Sequence, residues 1–234
     1  MDLMIKFHSS CEKRAGEIRK DLKSETTPAF VISCRDGILS ATVSGKRKGH
    51  KIYRMLDRSV FTGVGSVLDC KNLYAAASSS AKVQAHMERS KGDVSYIIEN
   101  IVTSLSSQIA NQFRNLYSNN YFRAEIAFTV IGQDPAEDEI WCVDCTGDNT
   151  LSSNFACLPV DDEMAKVLGD DPEHTWEMDM KTVFRDMVYG SLVKHVKGDR
   201  GPEVVVLDRT KMEEKKFGDV YKRLSQEQIS NWLS

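Results

Sequence analysis

The feature that most constrains this fold is a long helix signal lying between two groups of short strand signals. Asp93 can cap it, and Ile97, Ile98, Ile101, Val102, Leu105, Ile109, Phe113 and Leu116 then keep one face apolar for about six turns. Just before it, residues 66–88 are rich in Ala, Ser and Leu, as suits a helix packed closely on a sheet. Helices of this kind must bury their apolar faces, and the flanking strands supply the sheets to do it. Upstream, Phe30–Ile32 and Ile38–Val43 flank Arg35-Asp36-Gly37, and Asp-Gly between apolar runs signals a hairpin. Two more short strands follow near Ile52–Met55 and Val60–Val64, and four strands so close together imply an antiparallel sheet. Downstream come strands at Glu125–Ile131, Ile140–Val143 and Phe155–Leu158, and a short helix opened by Asp161 and Asp162 that ends near Gly169. Val183, Phe184, Met187, Val188, Leu192 and Val196 mark a further helix, Val204–Leu207 reads as a buried strand, and Ser225 starts a short final helix through Ile229, Trp232 and Leu233.

One more helix precedes the first strand. Ser9 and Glu12 have capping-box spacing, and Ala15, Ile18 and Leu22 recur at helical intervals, so a helix is expected over about residues 9–24. Pro28 forbids its extension. No internal repeat, linker or composition shift divides the rest. The expected organisation is an N-terminal segment and helix over 1–24, then one α+β domain over 25–234. That domain is a four-layer αββα sandwich of two antiparallel sheets flanked by helix pairs.

Charge and composition exclude several classes of function. Lys plus Arg is 31 against 34 for Asp plus Glu, a net charge of −3, so nothing draws the chain toward nucleic acid or an anionic membrane. No run of apolar residues is long enough to span a bilayer, and the N-terminus lacks the long apolar core of a secretory signal. The 6 cysteines are too sparse for a disulfide scaffold, which suggests a reducing cytoplasm. Gly45–Lys51 is basic and holds two glycines, but it lacks the phosphate-loop spacing and no helix follows it. Cys142 and Cys145 form a lone C-x-x-C without a second ligand pair, and Asp144–Asp148 reads better as a hairpin turn. The five histidines are scattered, no G-x-S-x-G elbow occurs, and Asp161, Asp162 and Glu163 suit a helix start. Neither a metal nor a cofactor is expected.

The order of elements resembles the proteasome-subunit branch of the N-terminal-nucleophile hydrolases across almost the whole chain. The residues that carry the likeness are Asp36-Gly37, Lys51-Ile52, Asp57, Phe61-Thr62-Gly63-Val64-Gly65 and Cys142-Val143-Asp144-Cys145-Thr146-Gly147, in that order. Within that branch the chain is similar to α-type subunits of bacterial, actinobacterial-style proteasomes. Its early helix stands where α-type subunits place an extra one. Its tail, Glu203–Asp208 followed by Tyr221-Lys222-Arg223-Leu224 and a short amphipathic end, resembles the bacterial α-type C-terminus. The Tyr-Asp-Arg triplet of archaeal and eukaryotic α-type N-termini is absent, as suits the bacterial type.

The resemblance implies a non-catalytic subunit of a homo-heptameric ring. That ring would cap a proteolytic β-type ring, gate its channel and dock an ATPase or other activator through the activator's C-terminal tails. It places Lys51 in a pocket that takes the activator's terminal carboxylate, a task suited to a compact ammonium. Leu3, Met4, Ile5 and Phe7 become candidates for the pore gate. The alternative is an active threonine hydrolase with Thr27 as nucleophile, Lys51 as its cation and residues 1–26 removed, because such a threonine uses its own α-amine as base. Thr26 in place of glycine, Pro28 after it, and Val43 where an acidic partner is expected all argue against that alternative.

Overall fold

The computed structural model describes residues 2–44, 49–87, 93–117, 121–152, 154–159, 174–196, 200–212 and 220–234. The first element, α1 (Asp2–Glu25), begins about two turns before the expected start. Ser9 is therefore not a cap but an internal residue, and Ser10 Oγ donates back to Lys6 O at 2.9 Å, as hydroxyls inside helices do. Leu3, Met4 and Lys6 are good helix formers with no glycine or proline among them, so nothing stops the helix before Asp2.

The hairpin β1 (Ala29–Cys34) and β2 (Gly37–Val43) forms around the expected turn, and β3 (Ile52–Arg54) pairs with β4 (Ser59–Gly65). The two hairpins do not share a sheet, contrary to the single sheet expected of four neighbouring strands. The free side of β2 is taken along its full length by β9 (Pro202–Asp208), which leaves β4 to pair with β5 (Ala124–Val130). Helices α2 (Val67–Met87) and α3 (Val94–Arg114) link them, and Asp93 caps α3 by accepting from Ser95 N at 3.0 Å. Then come β6 (Glu139–Val143), β7 (Asn149–Ser152) and β8 (Phe155–Leu158). The expected helix over 161–169 lies outside the described residues.

Two short helices, α4 (His174–Glu177) and α5 (Met180–Val183), lead into a π-helical stretch at Phe184–Val188 and then α6 (Tyr189–Val193). The expected single helix thus widens in its middle, where Tyr189 N–H reaches Phe184 O. The strand β10 (Tyr221–Arg223) and the helix α7 (Gln226–Leu233) end the chain, the latter with a capping box between Ser225 and Gln228. The sequence reading missed β7, whose Asn-Thr-Leu-Ser is largely exposed and lacks alternation, and β10, which has three residues.

Two antiparallel five-stranded sheets result, in the orders β10-β9-β2-β1-β8 and β3-β4-β5-β6-β7. Alternation along each strand builds the layers. Ala29, Val31 and Ile38 meet Val60, Ala127 and Ile140 between the sheets. Phe30, Ile32 and Leu39 face outward onto Val183, Phe184, Leu192 and Ile229. Phe61, Ile126 and Phe128 face outward the other way, onto Leu73, Ile98 and Ile101 of α2 and α3. The α+β sandwich with helices on both outer faces is therefore as expected. A fourth cluster, Ala15, Ile18, Leu22, Phe113 and Cys145, fastens α1 to the body. Among the described residues no helix is long and apolar enough to cross a membrane.

Candidate functional site

One end of the sandwich brings together two of the residues that the sequence singled out, Thr27 and Lys51. α1 closes with Thr26 donating both its N–H, at 3.1 Å, and its hydroxyl, at 2.6 Å, to Leu22 O. That turn delivers Thr27 to the mouth of β1, opposite the end of β2, where its hydroxyl donates to Val43 O at 3.3 Å. Across the gap between sheets, Lys51 precedes β3 and is fixed there by Gly63 N–H, which donates to Lys51 O at 3.0 Å. Lys51 Nζ donates to Thr27 Oγ1. Two residues 24 apart in sequence, each ahead of a strand of a different sheet, thus meet side chain to side chain.

Burial holds the Lys51 ammonium below the usual lysine range, with the neighbouring Cys70 thiol and Glu203 pulling the other way and Arg200 adding to the depression. Among the described residues no carboxylate forms an ion pair with Nζ. Glu203 lies near but is otherwise engaged. Its carboxylate accepts from Lys51 N–H at 3.0 Å and Ile52 N–H at 3.4 Å, pairs with Arg223, and has His50 Nδ1 at 3.3 Å. Arg223 also donates to Ile52 O at 2.6 Å and to the Tyr221 hydroxyl at 3.2 Å. Glu203 therefore ties the start of β9 to the start of β3 and, through Arg223, to β10. A groove of about 560 Å3 runs beside this cluster, lined by Ser44, His50, Arg200, Glu203, Arg223 and Gln226.

Sequence reasoning found Thr27 and Lys51 but assigned no role to Glu203, Arg223 or His50. The available signal was a buried glutamate just ahead of four apolar, buried strand residues. The candidate gate residues Leu3, Met4, Ile5 and Phe7 are not near this cluster. They occupy the first two turns of α1, where Met4, Ile5 and Phe7 are exposed. Lys46, Arg47 and Lys48 of the basic turn lie outside the described residues.

The opposite end of the sandwich holds a second polar cluster. Arg209 grips buried Asp138 through two bonds of 2.8 and 2.9 Å. Ser33 Oγ and Gly132 N–H donate to the same carboxylate, and Arg209 reaches Gly132 O and Cys34 O. Every lone pair has a donor, and the site latches both sheets together instead of presenting chemistry to solvent. Cys142 faces the space between the sheets and Cys145 packs under α1, so the C-x-x-C thiols diverge. Burial pushes both up to about 12. Among the described residues no group of three or more His, Cys, Asp or Glu side chains is arranged to hold a metal ion. No protein-family model matches the chain, and no curated protein matches it.

Proposed function

We propose that the chain is a non-catalytic α-type subunit of a cytoplasmic proteasome-like core, assembling as a heptameric ring on a β-type ring and docking an activator at Lys51. The observation that carries this reading is the way α1 runs unbroken into the site. The nitrogen of Thr27 is a peptide nitrogen at the foot of a helix whose Ile18 and Leu22 are buried in the body. In the intact chain it has no free amine to act as base, and its hydroxyl proton is directed at Val43 O. What remains at the site is a desolvated ammonium that has no carboxylate partner among the described residues, which suits capture of an external carboxylate.

Native mass spectrometry of the full-length protein tests the assembly: a species of seven intact chains, or twice that, is expected. Lys51→Ala is expected to leave that species unchanged while stimulation by an activator tail falls. Unchanged stimulation refutes the pocket role.

One observation favours a second reading, in which Thr27 is the nucleophile of an N-terminal-threonine hydrolase: its oxygen is the atom that Lys51 contacts. That reading requires the loss of residues 1–26. Chains isolated beginning at Thr27 would support it and exclude the first.

A further inference from the structure

We infer that Arg223 is a positioning residue that neutralises Glu203, so that Glu203 can hold the backbone of Lys51 without claiming its ammonium, which is left for an external carboxylate. The ligand class rests on the reading of the Lys51 pocket above. The charge arrangement does not depend on it.

Glu203 grips the main chain on either side of the Lys51 Cα, through the N–H groups of Lys51 and Ile52. A carboxylate so close to a lysine would ordinarily collapse onto its ammonium. Here Nζ turns instead to the hydroxyl of Thr27, and Arg223 occupies Oε1 of Glu203. The guanidinium is anchored independently by Ile52 O and the Tyr221 hydroxyl, so it is held in place for this contact. Glu203 is only 4% exposed at its side chain, so solvent screens the pair weakly. Among the described residues the other ionisable groups facing Lys51 are Cys70 from α2 and Arg200 from the segment before β9, with His50 on the far side of Glu203. An ammonium has three donors. One is used by Thr27, and a carboxylate could take the others without first displacing an anion of the described residues.

The test reads the charge state of Lys51 in the full chain, by its rate of acetylation with acetic anhydride near pH 8, resolved by peptide mass spectrometry. Only the neutral amine reacts. Arg223→Gln uncovers the Glu203 charge, which should favour the ammonium and slow acetylation of Lys51 about tenfold, the effect of one pH unit in its titration. Glu203→Gln leaves Arg223 unbalanced and should speed it. The double variant should return close to the wild-type rate. A merely structural role would loosen the site in both single variants and speed both, so rates moving in the same direction, or not moving, overturn the inference. Should Arg223→Gln fail to fold, Arg223→Lys retains the charge and is expected to label at the wild-type rate. Slowed labelling in Glu203→Gln then overturns the proposal alone. Two peptides that differ only in a free or an amidated C-terminus test the ligand. Protection of Lys51 by the free acid alone is expected, and equal protection by both, or by neither, overturns the carboxylate assignment. The ring reading stands or falls separately, on the native mass.

Discussion

If α1 is an integral part of this fold, shaving its buried face must cost far more than shaving its exposed tip. Leu22 is 3% exposed and packs at the join between β4 and α2, where a Cβ placed on Gly65 would lie 2.9 Å from Leu22 Cδ2. That join cannot close over a cavity. Gly65 has a φ of +116°, and the same Cβ would lie 2.2 Å from Arg123 O, so the backbone on the far side is already tight. Leu22→Ala should therefore approach the middle of the range for buried leucines, about 3 kcal/mol. In a chain of this length that lowers the melting temperature by about 6–12 °C. Met4→Ala and Ile5→Ala remove side chains that are 78% and 63% exposed and should shift stability by no more than about 0.5 kcal/mol. Thermal unfolding followed by circular dichroism reads the global effect. Hydrogen exchange across Ala15–Leu22 reads whether the helix undocks locally. The consequence reaches the site, because Thr26 hangs from Leu22 O and places Thr27 against Lys51. Equal small shifts in Leu22→Ala and Met4→Ala, with fast exchange throughout α1, would refute the docking and with it the argument that Thr27 is held in mid-chain.

Further outcomes follow from the buried polar and thiol groups. Arg209→Met leaves Asp138 charged and unpaired in the interior and should cost about 3–5 kcal/mol in urea unfolding. Adding Asp138→Asn should recover part of that, and equal losses in the single and double variants would count against a charge effect. Burial pushes the thiols of Cys70, Cys142 and Cys145 up to about 12 from about 9. The raised native values mean that their contribution is intact below pH 9 and lost as pH climbs toward 12, by up to about 1.4 kcal/mol per thiol and pH unit, with Lys51 opposing in one step up to its unfolded value. Urea midpoints taken from pH 8 to 10.5 should accordingly decline, and a rise would contradict the assignment. At pH 8 iodoacetamide should modify the partly exposed Cys11 of the native chain and leave those three thiols untouched, which intact mass and peptide mapping can read.

The layers were legible because period-two and period-3.6 patterns are local. Ile97, Ile98, Ile101, Val102, Leu105, Ile109 and Phe113 lie on the buried face of α3, and Phe30, Ile32, Leu39 and Ala41 all face the outer helices. Sheet membership was not legible. Which hairpin joins which sheet depends on β9 claiming the free side of β2 from 159 residues further along, counting from Val43 to its partner Pro202, and no local pattern encodes that pairing. The start of α1 was missed for the opposite reason. A capping-box spacing at Ser9 and Glu12 is real in the sequence, but nothing upstream breaks the helix, and the box has no terminus to cap.

The site divides along the same line. Thr27 and Lys51 each stand beside a recognisable local landmark, the hairpin turn at Asp36-Gly37 and the strand that ends at Gly65, and a position measured from a landmark survives folding. Glu203, Arg223 and His50 have no such marker, because their significance is one of charge balance among three segments. A glutamate ahead of four apolar residues reads as an exposed strand start until β3 comes beside it and offers two N–H groups. Arg223 reads as a solvated residue of a Lys-Arg pair until β10 pairs with β9 in a register that sets it across from Val205, on the strand that holds Glu203. The charge balance at this end of the sandwich therefore depends less on which residues the chain carries than on which of them the fold sets beside the Glu203 carboxylate.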